Sequence, residues 1–306
     1  MRTTTAHSTD VAIRAIQSQR DALERTQAQV STGRRVVAPG DDPVSAADGE
    51  RARAQLARIE MERRAATFAA NALGQADGAL TDATDVLQTT RETLVAAGNG
   101  GYSAAERALL AEQLDQSRKQ LFAIANRPDG SGGYVFGGMG GARPFVDGTA
   151  PASPVQYAPV AGQLQVGLDQ AASISLDGQA AFTAQPGRSG VQNVFSVLDN
   201  AIAALRDPTL TGAGITASVS AAIDGVDGGI EALQLKRTQA GEQARAIEAH
   251  TQRLDGTELH TRTYLADVID VDLAEALSRL ADQQNMLDAA MKTYTQVSQM
   301  SLFKYV

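Results

Sequence analysis

Residues 59–94 read IEMERRAATFAANALGQADGALTDATDVLQTTRETL, and the spacing within them decides the fold class. Ile59, Ala66, Leu73, Leu80, Leu87 and Leu94 recur every seven positions. Seven residues make about two helical turns, so all six fall on one stripe. Leu56, Ala70 and Thr84 stand at the companion positions, while Arg63, Asp77 and Arg91 interrupt that second row. The pattern predicts a long helix with one face packed against neighbouring helices.

Downstream, Val219, Ile223, Val226, Ile230 and Leu233 begin a second series, which continues through Ala240, Ala244, Ile247, Leu254, Leu265 and Val268. Arg237, Thr251, Glu258 and Thr261 are its polar breaks. Continuous over residues 216–268, this helix would be about 80 Å long, a rod by comparison with ordinary globular helices. Shorter helices are predicted around Glu106–Ala125 and Val191–Leu205, completing a bundle. Between them, residues 127–190 hold 13 of the 28 glycines and 6 of the 9 prolines, with no Lys and no Glu. That composition breaks helices. Tyr134-Val135-Phe136, Val155-Gln156-Tyr157, Gln163-Leu164-Gln165-Val166 and Ser173-Ile174-Ser175-Leu176 read as its strands, a small β-rich insert.

The two ends repeat the helical pattern more weakly. Ile13, Ile16, Leu23 and Val30 are interrupted by Arg20 and Gln27; Leu273, Leu277, Leu280, Leu287, Met291 and Tyr294 are interrupted by Gln284. Two arrangements fit: separate surface helices of one globule, or an antiparallel coiled coil. Polar residues at seam positions weaken such a pair in isolation, leaving it to be ordered by neighbours. Between the first helix and the long one, Gly33 suits a helix C-terminus. Asp41 or Asp42 suits the next N-cap, with Pro43 at a tolerated first-turn position. Capping accounts for the two carboxylates without an acid–base or metal role.

The 306 residues carry a net charge of −8 and include 55 alanines, no cysteine and no tryptophan. An acidic chain is a poor nucleic-acid binder, and no run approaches a membrane span. Without cysteine there is no disulfide or thiolate metal site. His250 and His260 are ten residues apart, about 15 Å along a helix axis, so one helix cannot bring them to a shared metal. Gly137-Gly138-Met139-Gly140-Gly141 is neither a dinucleotide nor a P-loop motif. The expectation is no catalytic residue, no cofactor, no metal, no nucleic acid and no membrane.

Val30-Ser31-Thr32-Gly33-Arg34-Arg35 with Pro39-Gly40-Asp41-Asp42-Pro43-Val44 resembles the N-terminal signature shared by flagellins and the hook–filament junction proteins of bacterial flagella. Asp272-Leu273-Ala274-Glu275-Ala276-Leu277-Ser278-Arg279-Leu280 resembles their terminal helix. The ending Ser301-Leu302-Phe303, and Gly133–Gly138 with Arg143-Pro144-Phe145, are similar to the junction branch. Gly40 and Arg34 depart from the residues common there. The resemblance implies a mainly α fold with a β insert: a terminal antiparallel coiled coil, a long-helix bundle and a small outer β domain. The implied segments are 1–40 and 270–306 for the coiled coil, 41–128 and 189–269 for the two bundle halves, and 129–188 for the outer domain. Implied partners are sister subunits, hook-associated protein 1, flagellin and a flagellar export chaperone. Export would proceed without a cleavable signal peptide to the extracellular flagellum. The residues expected to carry assembly are Ile13, Ile16, Leu23, Val30, Leu273, Leu277, Leu280, Leu287, Met291 and Leu302. Competing readings are flagellin itself, a secreted surface-binding module gripping a glycan or host surface through the insert, and an enzyme.

Overall fold

The computed structural model describes residues 2–99, 101–137, 142–148, 155–158, 163–167, 170–173, 176, 178–187, 190–210 and 212–303. Side chains are described except at residues 2–9, 163–167, 170–173, 185–187, 190–192 and 297–303. Six helices occur among them: α1 (Arg2–Thr32), α2 (Pro43–Ala97), α3 (Ala104–Ala125), α4 (Val194–Arg206), α5 (Gly212–Ile269) and α6 (Leu273–Phe303). The chain divides into two compact units, residues 1–59 with 255–306, and residues 60–254. Helices α2 and α5 contribute residues to both. No helix among the described residues is long and apolar enough to cross a membrane.

In the second unit the seven-residue row is the core: Ala66, Leu73, Leu80, Leu87 and Leu94 are all buried. Each leucine contributes roughly 1.5–3 kcal/mol by leaving water. Of the companion row Thr84 is buried and Leu56 half-buried, as expected, and the other positions differ. Ala70 is exposed and Asp77 and Arg91 reach outward, whereas Ala69, Ala76, Ala83, Thr90 and Ala97 are buried. The seam thus alternates 3 and 4 with leucine on one row and mainly alanine on the other, which lets a partner helix approach closely. The same 3–4 alternation buries Ile215, Val219, Ala222, Val226 and Leu233 in α5, while the predicted Ala244 is exposed. Arg91 pairs with Asp227 at 2.7 Å and Arg237 with Asp77 at 3.0 Å, so these parts of α2 and α5 run antiparallel. Three of the predicted seam interruptions, Asp77, Arg91 and Arg237, are therefore bridging charges at its rim.

Ser103 opens α3 with a reciprocal cap: its hydroxyl accepts from the Glu106 N–H, and its own N–H donates to the Glu106 carboxylate at 2.8 Å. Helix α4 turns Val194, Phe195, Leu198, Ala201, Ile202 and Leu205 inward, and Arg206 meets Glu112 of α3 at 3.2 Å.

Among the described residues three antiparallel hairpins make the β-rich part: β1 (Phe145–Val146) with β2 (Gln156–Tyr157), β3 (Gln163–Gly167) with β4 (Gln170–Ser173), and β5 (Gln185–Gly187) with β6 (Gly190–Gln192). Two expected strands are corrected. Val135 and Phe136 lie in a turn, and Tyr134 forms only an isolated bridge with Pro128. The cause is local: the Asp129 carboxylate accepts the Ser131 and Gly133 N–H groups, and Gly130 and Gly132 take left-handed φ of 80° and 94°. The strand expected at 173–176 runs instead over Gln170–Ser173, Leu176 is a buried core residue, and Ile174 and Ser175 lie outside the described residues. A single wide π-type turn at Gln179–Thr183 was not anticipated.

Phe145 of β1 and Tyr157 of β2 belong to an aromatic knot. Phe136, Phe145, Phe182 and Phe195 are wholly buried, and Phe145 stands edge-on to Phe182 at 5.5 Å. Arg118 of α3 ties this knot to α4 by meeting Asp147 at 2.7 Å and Asp199 at 2.5 Å. Burial opposes its charge, but the two carboxylates overcome that and raise its pKa.

Candidate assembly surface

The first unit is built on a sequence-coded corner. Helix α1 stops at Thr32 because Gly33 adopts φ 68°. The next residues cross directly to the other end of the chain. Arg34 and Asp270 form a β-bridge, the Val271 N–H donates to the Gly33 carbonyl at 3.1 Å, and the Arg35 N–H donates to the Ile269 carbonyl at 2.7 Å. The Arg35 guanidinium then reaches Asp42 at 3.1 Å, the Ser45 hydroxyl at 2.9 Å and the Val268 carbonyl at 2.8 Å.

The paired carboxylates divide the capping work. Asp42 accepts the Ser45 N–H at 3.1 Å and caps α2, which begins at Pro43. Asp41 accepts the Val37 and Ala38 N–H groups and closes the loop. Hydrogen bonds from the Ser45 hydroxyl and N–H, joined by Arg35, lower the Asp42 pKa to about 2. Asp272 caps α6 in the same way, accepting from Ala274 and Glu275.

From that corner α1 and α6 run side by side, antiparallel. The Gln19 amide meets the Met286 sulfur at 3.4 Å, and Arg20 lies 3.9 Å from the Met291 sulfur. Ile16, Gln19, Leu23, Thr26 and Val30 face the partner helix, with Thr26 buried and its hydroxyl satisfied by the Ala22 carbonyl. On α6 the inward row is Ala276, Leu280, Gln283, Leu287, Ala290 and Tyr294. Of the residues expected to carry assembly, Ile16, Leu23, Val30, Leu280 and Leu287 lie in this intramolecular seam, half-buried. Leu273, Leu277, Met291 and Ile13 do not: they are 51%, 52%, 41% and 39% exposed. The side chain of Leu302 lies outside the described residues. Ala276, wholly buried, was missed because an alanine between leucines gives no periodic signal; exposed Met286 and Val11 were missed too. The resulting surface is a narrow polar-interrupted seam flanked by uncovered apolar side chains.

Among the described residues no group of three or more His, Asp or Glu stands close enough to hold a metal ion. His250 lies 3.6 Å from Glu62, and His260 lines a shallow hollow with Asp48, Arg51 and Tyr264. The aromatics of the insert are largely internal, with Phe136, Phe145 and Phe182 buried, so they form no exposed aromatic platform.

Two long helices, a terminal antiparallel pair and a β-rich insert define a flagellin-like structural subunit. In agreement, residues 4–140 match the model of the bacterial flagellin N-terminal helical region. The chain is 30% identical to flagellar hook-associated protein 3 of Escherichia coli, over 90% of each chain. It is 22% identical to flagellin of Bacillus subtilis, over 93% of this chain and 92% of that one. Among solved structures, flagellar hook-associated protein 3 from Legionella pneumophila is similar with a TM-score of 0.64 and 15% identity, covering 72% of this chain and 98% of that one. The chain belongs to the flagellar hook-associated protein 3 family.

Proposed function

We propose that this chain is the adaptor subunit that joins the flagellar hook to the flagellin filament. Its partners are hook-associated protein 1 on the hook side, flagellin on the filament side, sister subunits around the axis and an export chaperone before secretion without a cleavable signal. The observation that carries this reading is the terminal pair. Its seam holds Gln19, Thr26 and Gln283, while Ile13, Leu273, Leu277, Met286 and Met291 stay 39–60% exposed along its flank. An apolar flank of this kind on a slender helix pair is stabilised when neighbours cover it. Family membership supports the place of that contact in the flagellum. Assembly then uses Ile13, Leu273, Leu277 and Met291 between subunits, with Ile16, Leu23, Val30, Leu280 and Leu287 setting the pair that presents them. Leu302 extends the same helix.

The test is deletion of the gene and complementation with truncated chains. Chains lacking residues 1–33 or 271–306 should remain soluble and helical yet leave hooks bare, with flagellin shed into the medium. A truncated chain that restores swimming overturns the proposal. The flagellin reading, which the likeness to Bacillus flagellin favours, predicts instead that the purified protein grows long filaments by itself.

A further inference from the structure

We infer that the second unit carries a binding site for a neutral carbohydrate, in a cavity of about 850 Å³ between β2, the turn at Gln179–Thr183 and helices α4 and α5. That volume lies within the range of about 300–1,000 Å³ usual for small-molecule sites. The inference does not depend on the assembly role, since the cavity belongs wholly to residues 155–222 of the second unit.

The chemistry of the lining selects the ligand. Among the described residues no charged side chain lines the cavity. Phosphate, carboxylate and sulfated ligands call for Arg or Lys, and a cation calls for carboxylates. What the cavity offers instead are amides and hydroxyls: Gln156, Ser196, Asn200 and Ser218. None of these four side chains takes part in a hydrogen bond with another described residue. Amides supply donor and acceptor together, and hydroxyls do the same, which matches the alternating donor and acceptor demand of sugar hydroxyls. Val155, Val197 and Ala222 add an apolar floor for sugar C–H faces.

The walls are held in place before any ligand arrives. The Tyr157 hydroxyl donates to the Phe136 carbonyl at 3.0 Å and accepts the Gly178 N–H at 3.3 Å, and its ring packs on Phe145 at 5.0 Å. Asn193 caps α4 by accepting the Phe195 N–H at 3.0 Å, and its amide donates to the Val155 carbonyl at 2.9 Å. Strand β2 and helix α4 are thereby latched together at the cavity edge, which lowers the ordering cost of binding.

The test uses the full-length protein on an array of neutral hexose and N-acetylhexosamine oligosaccharides, with sialylated and sulfated oligosaccharides and uncharged peptides alongside. Neutral oligosaccharides should be retained in preference to charged ones. Asn200→Ala should lower that retention at least tenfold, and so should Ala221→Trp, which fills the cavity from an exposed position. Both variants should keep the wild-type thermal midpoint. Three outcomes overturn the site: no neutral oligosaccharide retained, retention unchanged in both variants, or retention of uncharged peptides alone.

Discussion

Replacing Leu277 by Asp should abolish the junction while leaving the second unit as stable as before. Leu277 is 52% exposed, so about half of the roughly 1.5–3 kcal/mol available to a fully buried leucine is at stake, about 1 kcal/mol. The lower helix propensity of Asp adds about 0.5 kcal/mol. Both terms act within the unit formed by residues 1–59 and 255–306, not within residues 60–254. Leu87→Ala is the control, because Leu87 is wholly buried in the second unit. Its cavity should cost about 3 kcal/mol, which for a unit of this size lowers the midpoint by roughly 6–12 °C. In an assembled junction the order reverses. The carboxylate introduced by Leu277→Asp, once covered by a neighbouring subunit, has no partner and costs several kcal/mol at every repeated contact. The assays are thermal circular dichroism on the purified chains and soft-agar swimming of a deletion strain carrying each variant. Leu277→Asp should fail to swim and show a main transition shifted by about 1 °C or less. A midpoint loss as large as that of Leu87→Ala, or normal swimming, would refute the reasoning.

Gly178→Ala should loosen the aromatic knot, since an added Cβ would stand 2.8 Å from the Tyr157 ring and 2.9 Å from that of Phe145. The expected cost is about 1–3 kcal/mol, read as a lower melting midpoint with weakened near-ultraviolet dichroism. Arg35→Ala removes three side-chain contacts at the corner. Amide exchange at Val36 and Val271 should quicken about tenfold, equivalent to roughly 1.4 kcal/mol; unchanged protection would show that the backbone bonds alone hold the corner. Asp42 is depressed from 3.8 to about 2, mainly by the Ser45 hydroxyl and N–H and then by Arg35. A depressed carboxylate stabilises the fold fully above pH 3.8 and loses that contribution as the pH falls through about 2. Asp42→Asn should therefore flatten the acid limb of helix loss between those values, and an unaltered limb would assign acid sensitivity elsewhere.

The heptad row Ile59 to Leu94 was readable because leucine and isoleucine mark burial by themselves. Its partner row was not, because alanine is equally at home on a surface and in a tight helix contact, and only the packed structure separates Ala69 from Ala70. Alanine hid the inward face of α6 in the same way: the leucines at 273 and 277 drew the eye, while the buried position between them is Ala276. Gly33 and Pro43 were legible because each answers one local geometric demand, whereas the choice of Asp42 over Asp41 as the cap needed the structure. The stretch at 134–136 misled because its β-favouring side chains were overruled by the turn that Asp129, Gly130 and Gly132 build just before it. Arg35 was part of a recognised motif, yet its reach to the Val268 carbonyl spans 233 positions, a distance local patterning does not encode.

The backbone bonds between residues 33–36 and 269–271 fasten the two strands of the chain together at one point. Everything between positions 36 and 269 is consequently a closed loop hung from a clasp. Lengthening or shortening that loop does not change which residue of the first helix lies opposite which residue of the last. Lineages, or protein engineers, are thus free to graft new sequence into the hairpin segment while the two terminal helices keep their alignment.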